Sequence, residues 1–332
     1  MNLCVIQPGM FTTVQDLGRP GLQRDGVPVS GAMDTFALRA ANLLTGNAAG
    51  DAGLEMTLTG ATLEFHGGAL IALCGAPVDA RADDAPVPMW HPVWVPRGAT
   101  LTCGPLLTGC RTYLGIAGGV VEPVILGGRS TFTRGGFGGH AGRHLMAGDE
   151  LPVGTLSPLS VRIASAVAGN GHLPRVAHWG IGPSVRPGYS REPVVRLLQG
   201  AHSASLTAVS RDRLFREPFR VSTQSDRMGY RLEGVILELT APLDLLSEAV
   251  VFGTMQLPPS GEPIVLMADR QTTGGYPRIG EVVSVDLPLM AQLRPGDQVR
   301  FRPVSLVDAQ RLYLEREREL AQATREILFR HS

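Results

Sequence analysis

One stretch of this 332-residue chain crowds an acid, a guanidinium, an amide and two hydroxyls against a Gly-Gly turn. Asp269 can donate or accept a proton, and Gln271, Thr272 and Thr273 can orient a polar substrate through hydrogen bonds. The glycines allow another surface to approach closely. A turn that only satisfies its own hydrogen bonds uses the same residue types, so both interpretations stay open. The full stretch is Met267-Ala268-Asp269-Arg270-Gln271-Thr272-Thr273-Gly274-Gly275-Tyr276-Pro277.

Two other regions carry similar sets of an acid, an arginine and a hydroxyl. Arg19 and Arg227 each lie close to an aspartate in sequence, and a guanidinium fork can bind a carboxylate at two points. A buried pair of this kind can also be purely structural. The recurrence of three such sets favours a polar cleft. The regions are Thr12-Thr13-Val14-Gln15-Asp16-Leu17-Gly18-Arg19, continued by Gly26-Val27-Pro28-Val29-Ser30-Gly31-Ala32-Met33-Asp34, and Ser225-Asp226-Arg227-Met228-Gly229-Tyr230-Arg231-Leu232.

With these stretches the chain resembles the family that comprises allophanate hydrolase subunit 2 and the 5-oxoprolinase C subunit, described as biotin-dependent carboxyltransferase-like and including KipA-like proteins. The resemblance runs to about residue 302. Further matching positions are Asn42, Gly46-Asn47, Leu54-Glu55, Gly118-Gly119, Ser130-Thr131, Met255-Gln256-Leu257-Pro258 and Pro295-Gly296-Asp297.

The resemblance implies one subunit of a heteromeric, ATP-dependent 5-oxoprolinase that opens 5-oxo-L-proline to L-glutamate and is inactive alone. It implies two partners. One resembles the 5-oxoprolinase B subunit (allophanate hydrolase subunit 1 or KipI-like), and the other is a lactam-utilisation protein that resembles the A subunit. The hypothesis for this chain divides the motif residues into two groups. The candidate catalytic residues are Asp269, Asp34, Gln271, Thr272 and Thr273, and the candidate substrate-binding residues are Arg19, Arg227, Ser30, Asp226, Gln256 and Tyr276.

Two alternative functions stay open within this resemblance. One is the carboxyltransferase component of a biotin-dependent urea or amide carboxylase. The other is a non-catalytic regulatory protein, since relatives of this type have been described as antagonists of a histidine-kinase inhibitor.

Composition excludes several classes of protein and mechanism. Thirty basic and thirty acidic residues leave no net charge, whereas nucleic-acid binders carry a basic excess. No apolar run is long enough to span a membrane, and the N-terminus lacks the pattern of a secretory signal, so the cytoplasm is expected. The sequence contains no lysine, which excludes a Gly-Lys-Ser/Thr phosphate loop and a biotinyl-lysine here. The ATP used by the complex, and any biotin, should therefore bind another subunit.

No metal or disulfide is predicted from the cysteines and histidines. Cys4, Cys74, Cys103 and Cys110 show no metal-ligand spacing, and Cys74 is expected to be buried in a strand. His140 and His144 have the spacing of a helical zinc pair, but the glycines around them argue against a helix. The glycine-rich loop 127–143 is either an oxyanion site or a surface flap.

A mainly β fold follows from 41 glycines and 25 prolines, which separate short apolar segments. The family implies two cyclophilin-like β-barrels with few helices, and Leu3–Gly9 and 147–151 are echoed by Val195–Gly200 and 295–299. We predict domains at 1–155 and 194–304, a connector at 156–193 and a C-terminal helix at 305–332. Predicted strands are 69–74, 112–117, 194–198, 264–267 and 282–285.

Two helices are predicted. Asp34 can cap a helix over 35–44 that Gly46-Asn47 stops. A second helix over about 305–329 repeats Leu306, Tyr313, Leu320 and Ile327 every seven residues. This stripe can dock on the chain itself or on a partner, or the helix can be solvated.

Overall fold

The computed structural model describes residues 1–169 and 172–331. These residues form two compact units. Unit 1 comprises Met1–Arg19, Asp34–Pro187 and Glu319–Ser332, and unit 2 comprises Pro20–Met33 and Gly188–Arg318. The segment 20–33 thus clusters with the C-terminal unit although it lies near the N-terminus. The predicted connector 156–193 includes a helix whose buried residues pack in unit 1.

The described residues of unit 1 form two six-stranded sheets, two whole helices and the last part of a third helix. The strands of the first sheet are β1 (Asn2–Gln7), β4 (Thr62–Phe65), β6 (Val78–Ala82), β7 (Ala85–Pro86), β9 (Thr100–Leu106) and β11 (Glu150–Pro152). The strands of the second are β2 (Phe11–Gln15), β3 (Gly53–Thr57), β5 (Ala69–Gly75), β8 (Val93–Val95), β10 (Arg111–Ile116) and β12 (Arg175–Val176). One hydrophobic core takes buried side chains from both sheets, because alternate residues of each strand face inwards.

The helices of unit 1 are α1 (Thr35–Leu44) and α2 (Pro158–Ala168). The Asp34 carboxylate accepts a 2.9 Å hydrogen bond from the Ala37 amide, so the predicted cap of α1 is confirmed. Ser157 caps α2 in the same way, with a 2.9 Å bond from the Ser160 amide.

Unit 2 contains a closed barrel of seven strands. In barrel order these are β13 (Val194–Gln199), β20 (Arg278–Val282), β17 (Thr254–Gln256), β18 (Ile264–Leu266), β15 (Gly229–Glu233), β14 (Phe219–Val221) and β21 (Gln298–Pro303). A separate two-stranded sheet pairs β16 (Glu248–Ala249) with β19 (Thr273–Gly274). The helices are α3 (Ala208–Arg216), α4 (Leu287–Ala291) and α5 (Leu306–Arg330), of which Glu319–Arg330 belongs to unit 1. The mainly β class and the presence of a barrel are confirmed.

The two pairs of segments that resemble each other in sequence form similar turns, but their strands pair differently. Asp149 and Asp297 each accept a bond from the backbone amide three residues earlier, at 2.7 and 3.0 Å. However, β1 pairs with β11 antiparallel, whereas β13 pairs with β21 parallel. The strand predicted at 282–285 is wrong. Strand β20 ends at Val282, and a 3-10 turn over Ser284–Asp286 follows, where Asp286 binds Arg196.

Across the part of the chain that the structure describes, there is no helix with the length and hydrophobicity needed to cross a bilayer.

Candidate functional site

The centre of the candidate site in unit 2 is an ion pair between Arg227 and Asp269. Arg227 Nε donates to Asp269 Oδ2 at 2.8 Å and its Nη2 donates to Oδ1 at 3.2 Å. Both residues are buried, and the Asp269 amide also donates to the Arg227 carbonyl at 2.8 Å. Two segments 42 residues apart in sequence are thus joined by main-chain and side-chain bonds. This geometry favours a positioning role for both residues, because each charged group already satisfies the other.

The same guanidinium reaches the segment 20–33. Arg227 Nη2 donates to the Gly31 carbonyl at 2.6 Å, and both residues belong to unit 2. Gly31 has a φ of +94°, which glycine adopts without strain. The turn before Met33 is therefore fixed by the predicted arginine, and the neighbouring Ser30 is placed next to it along the chain.

Ser30 has two features that are unusual for a buried serine. Its φ is +55°, in the left-handed region that costs an L-residue energy. Its side chain is buried, and the hydroxyl has no hydrogen-bond partner among the described residues. A strained backbone and an unsatisfied polar atom are features that cluster at functional sites. Ser30 is therefore the predicted residue whose backbone and hydroxyl both carry a cost that its own surroundings do not explain.

Gln256 and Tyr276 meet at the other end of the motif. The buried Gln256 carboxamide lies 3.5 Å from the Tyr276 carbonyl. A Cβ added at Gly274 would lie 2.5 Å from Gln256 Nε2, so a larger residue there would displace the carboxamide from its present position. Tyr276 is half exposed and lines a cavity of about 570 Å³ with Pro258, a size suited to a small ligand.

The remaining predicted residues of unit 2 are more exposed. Gln271 and Thr272 are half-buried and Thr273 is exposed, where β19 pairs with β16. Asp226 is also exposed, and its carboxylate accepts bonds from the Met228 and Gly229 amides at 2.8 and 3.2 Å. Asp226 therefore closes a turn, as aspartates often do in loops.

Asp34 lies in unit 1 within a buried polar chain. Its amide donates to the Tyr113 hydroxyl at 2.8 Å, and that hydroxyl donates to Glu55 at 2.6 Å. Arg111 lies 3.5 Å from the same carboxylate. Burial, followed by the negative charge of Glu55, raises the pKa of Tyr113, so the phenol stays neutral. Because the Asp34 carboxylate caps α1, the geometry favours a structural role for Asp34.

Arg19 is fully buried in unit 1 and holds the glycine-rich loop 127–143. Its guanidinium donates to the Ser130 and Ile125 carbonyls, the latter at 3.3 Å, and lies 5.0 Å from the centroid of the Phe137 ring. Asp16 accepts bonds from the Ser130 hydroxyl and from the Arg129 amide, the latter at 2.5 Å. The predicted acid and arginine thus bind the same loop through different groups.

His140 and His144, which have the spacing of a zinc pair, both contact other side chains of this chain. His140 Nδ1 lies 2.8 Å from Glu122, and its Nε2 lies 3.4 Å from Asp149. The His144 ring lies 5.6 Å from that of Phe11. Cys74 is buried in β5 as predicted, and burial raises the pKa of its thiol.

Sequence reasoning does not assign a role to Arg270 or Glu281, the charged residues on either side of the Gly-Gly turn. Arg270 is noted only as part of the motif, and Glu281 is not noted. Both are held in poorly solvated surroundings in unit 2, where burial lowers the pKa of Arg270 to about 10 and raises the pKa of Glu281. An acid three residues after an arginine in strand β20 carries no motif that would have marked it.

Comparison with known proteins gives the family. The model of the carboxyltransferase domain, subdomain A and B, matches residues 25–303. The chain belongs to this family. It is 39% identical over 326 residues to the 5-oxoprolinase C subunit of Escherichia coli, covering 96% of this chain and 97% of that relative. The resemblance seen in the sequence is thereby confirmed.

Other members of the carboxyltransferase family are far longer. The chain is 33% identical to urea amidolyase of Saccharomyces cerevisiae over 90% of its own length but only 16% of that protein. The crystal structure of the K. lactis urea amidolyase superposes with a TM-score of 0.87 at 30% identity, over 97% of this chain. This chain spans 20% of that structure, so it corresponds to one portion of it.

Proposed function

We propose that the chain is one subunit of a heteromeric, ATP-dependent 5-oxoprolinase that opens 5-oxo-L-proline to L-glutamate. One observation carries the proposal: the similarity to the 5-oxoprolinase C subunit of Escherichia coli extends over almost the whole of both chains at 39% identity. The urea amidolyases match at 32 and 33%, over only 17 and 16% of their length.

Companion subunits are part of the proposal. A lactam is an unstrained amide and a poor electrophile, so transfer of a phosphoryl group from ATP to its oxygen would prepare it for attack by water. Because the sequence has no lysine, the usual phosphate-binding loop cannot form here. We therefore assign ATP to one of the two partners, the protein similar to the B subunit or the lactam-utilisation protein, and expect this chain to be inactive alone. We also assign it to the cytoplasm, which cell fractionation tests.

The proposed roles of the motif residues follow their geometry. Arg227 and Asp269 hold the turn at Gly31 in place, and Ser30 then offers its hydroxyl to the substrate. Gln256, Gln271, Thr272, Thr273 and Tyr276 are the donors that can orient the lactam, in support of charge developing on its oxygen. For Arg19, Asp34 and Asp226 the bonds they already make support structural roles.

A second candidate function is carboxyl transfer to urea or a related amide. It is favoured by the family that the chain belongs to and by the TM-score of 0.87 with the K. lactis urea amidolyase. This function would need a biotin carboxylase and a lysine-bearing carrier, and this sequence has no lysine to carry biotin.

The decisive experiment is to co-express the chain with the products of its neighbouring genes and to measure glutamate released from 5-oxo-L-proline with and without ATP. We expect ATP-dependent release from the complex and none from the purified chain. Ser30→Ala should lower turnover at least tenfold, whereas Thr223→Ala, at an exposed hydroxyl, should not. Robust activity of the chain alone would contradict the proposal, and bicarbonate-dependent carboxylation of urea by the complex would favour the second candidate.

A further inference from the structure

A short hairpin in unit 1 carries an exposed leucine in a strained backbone conformation. Ile125 and Gly128 close the hairpin, because the Ile125 amide donates to the Gly128 carbonyl at 2.9 Å and the Gly128 amide donates back at 3.2 Å. Leu126 and Gly127 lie between them with φ of +54° and +89°. Positive φ at both central residues is typical of the type I′ turn, which prefers asparagine, aspartate or glycine, so a leucine there is an outlier. We call residues 121–128 the Leu126 hairpin.

The Leu126 hairpin is apolar and projects into solvent. Leu126 is 48% exposed and Val124 is 54% exposed, and Val121 and Ile125 are also exposed. A Cβ added at Gly127 would meet no atom of the described chain within 4 Å, so the tip lies in open space. Single exposed apolar residues are ordinary, whereas four within six consecutive positions form a patch of the kind that marks interaction sites.

Polar groups beneath the patch hold the Leu126 hairpin in place. Arg19 Nε donates to the Ile125 carbonyl at 3.3 Å, and Arg129 Nε donates to the Glu122 carbonyl at 2.9 Å. The Asp16 carboxylate accepts a bond from the Arg129 amide at 2.5 Å. An apolar tip that is already fixed in one conformation loses little entropy when it binds, which favours affinity.

The charges next to the tip indicate the chemistry of its partner. Residues 123–128 include no charged residue. At one end of the hairpin Glu122 is buried, with Oε1 2.8 Å from His140 Nδ1. At the other end Arg129 is half-buried and its Nε is bonded to the hairpin backbone. The complementary surface should therefore be apolar and uncharged, since a charged group buried against this tip would be desolvated without a partner.

The shape of the tip favours a different protein over a second copy of this chain. A two-fold interface between identical chains needs a patch that is complementary to itself. A projecting turn would meet its own copy tip to tip and leave its sides uncovered, whereas a pocket encloses it. A bilayer is also a poor match, because residues 121–128 include none of the aromatic or basic side chains that anchor proteins at a membrane surface.

We propose that the Leu126 hairpin docks into an apolar, uncharged pocket of a companion subunit. The existence of that companion rests on the proposed function, and the docking surface goes beyond it. The side chains of Leu126 and Val124 are the anchors that enter the pocket, as central apolar residues do in other interfaces. Their burial offsets the cost of positive φ at Leu126.

The test measures the affinity of the purified full chain for each companion, expressed from the neighbouring genes, by biolayer interferometry. Leu126→Asn is the main variant, because Asn-Gly is a favoured type I′ dipeptide. It should raise the midpoint of thermal unfolding of the isolated chain by about 2 °C, since the strain is relieved. It should also weaken binding to the companion at least tenfold, since the anchor is lost. A purely structural role for Leu126 would not give both results.

Three further variants act as controls. Leu126→Met keeps the tip apolar and should bind within about threefold of wild type. Val124→Asn changes the patch outside the turn and should weaken binding, so it decides the question if Leu126→Asn fails to fold. Leu107→Asn removes another exposed leucine of unit 1, just after β9, and should leave the affinity unchanged.

Wild-type affinity in both asparagine variants of the hairpin, or no binding of either companion by the wild-type chain, would overturn the proposal. Two other results would also overturn it. One is a dimer of the purified chain, seen by sedimentation, that Leu126→Asn abolishes. The other is flotation of the wild-type chain with vesicles of phosphatidylcholine and phosphatidylglycerol that the same variant abolishes.

The proposed function is measured separately, as glutamate release from 5-oxo-L-proline by the wild-type complex. A complex that assembles through the Leu126 hairpin but releases no glutamate would contradict the function and support the docking surface. Full glutamate release by a complex whose affinity is unchanged in Leu126→Asn and Val124→Asn would support the function and overturn the docking surface.

Discussion

The arginine clusters around Arg19 and Arg227 use similar residue types in opposite ways. In unit 1, Arg19 donates to backbone carbonyls and Asp16 accepts from a hydroxyl and from amides, so neither charge serves the other. In unit 2, Arg227 and Asp269 form a two-point ion pair. The Gly31 carbonyl bound by Arg227 follows a serine whose hydroxyl is unsatisfied among the described residues. The first cluster holds a loop together, and the second fixes a turn whose serine hydroxyl is buried and unsatisfied among the described residues.

The packing around Gly138 supports this distinction between the Arg19 and Arg227 clusters. A Cβ added at Gly138 would lie 2.7 Å from Arg19 Nη2 and 2.1 Å from the Ser130 carbonyl oxygen. The loop therefore closes tightly over Arg19, whose side chain is fully buried. The prediction that Arg19 binds substrate is accordingly disfavoured by packing.

The largest expected effect is a difference between the two clusters in the coupling energy of the arginine and the aspartate, measured as protein stability. Arg227→Met or Asp269→Leu alone should destabilise the protein by about 3–5 kcal/mol, because each leaves a buried charge without its partner. The double variant should cost less than the sum of the two single losses, giving a coupling energy of about 2–3 kcal/mol. For Arg19→Met and Asp16→Leu we expect coupling within about 1 kcal/mol. Urea denaturation of both cycles checks the prediction.

Equal coupling in the two cycles would remove the distinction between the clusters. Because both cycles are measured in the same chain with the same denaturant, an overall loss of cooperativity would appear in both and can be separated from the difference.

A third acid–arginine pair, Arg143 and Asp149, shows how much a more exposed ion pair contributes to stability. Arg143 donates to Asp149 at 2.7 and 2.8 Å, and this bond holds the pKa of Asp149 at about 2, well below its usual value. The carboxylate is thus ionised more readily in the folded state, so its contribution is present at neutral pH. It should be lost as the pH falls from about 4 to about 2.

We expect Asp149→Asn to cost about 1–2 kcal/mol at pH 7 and little at about pH 2, less than the buried pair. The Asp297→Asn variant is its matched control, since Asp297 closes a similar turn and pairs with Arg191, which is 77% exposed. Denaturation curves at several pH values give both numbers. A pH-independent cost at Asp149 would show that the turn, and not the ion pair, is responsible.

Neighbouring residues in the sequence were enough to predict individual helices and strands. They did not predict contacts between residues far apart in the chain. The cap at Asp34 and the alternating strand β13 follow from neighbouring residues, so α1 and β13 could be located. Strand β20 stops early because Asp286 turns back to bind the Arg196 amide and guanidinium, 90 residues away. The bond between Arg227 and Gly31 spans 196 residues and joins an N-terminal segment to the C-terminal unit.

The candidate site shows the same difference between what neighbouring residues predict and what long-range contacts determine. Residue types marked Ser30, Arg227 and Asp269 as polar members of the motifs, but no pattern in the sequence shows that Ser30 adopts positive φ or that its hydroxyl lacks a partner among the described residues. Both properties arise from the fold around the turn. Arg19 and Asp34 carry equally suggestive motifs, and only their contacts favour structural roles.

The smallest effect on stability is the most informative about function. Ser30→Gly should stabilise the chain by about 1 kcal/mol, because glycine adopts φ of +55° without strain and the buried unsatisfied hydroxyl disappears. The same change should lower turnover of the assembled complex if the hydroxyl binds substrate. Ala141→Gly is the matched control in unit 1, where φ is +52° at an exposed position. It should relieve strain without changing turnover. A Ser30→Gly complex that is both more stable and fully active would show that the strained turn has no part in the reaction and that the two arginine clusters are equally structural.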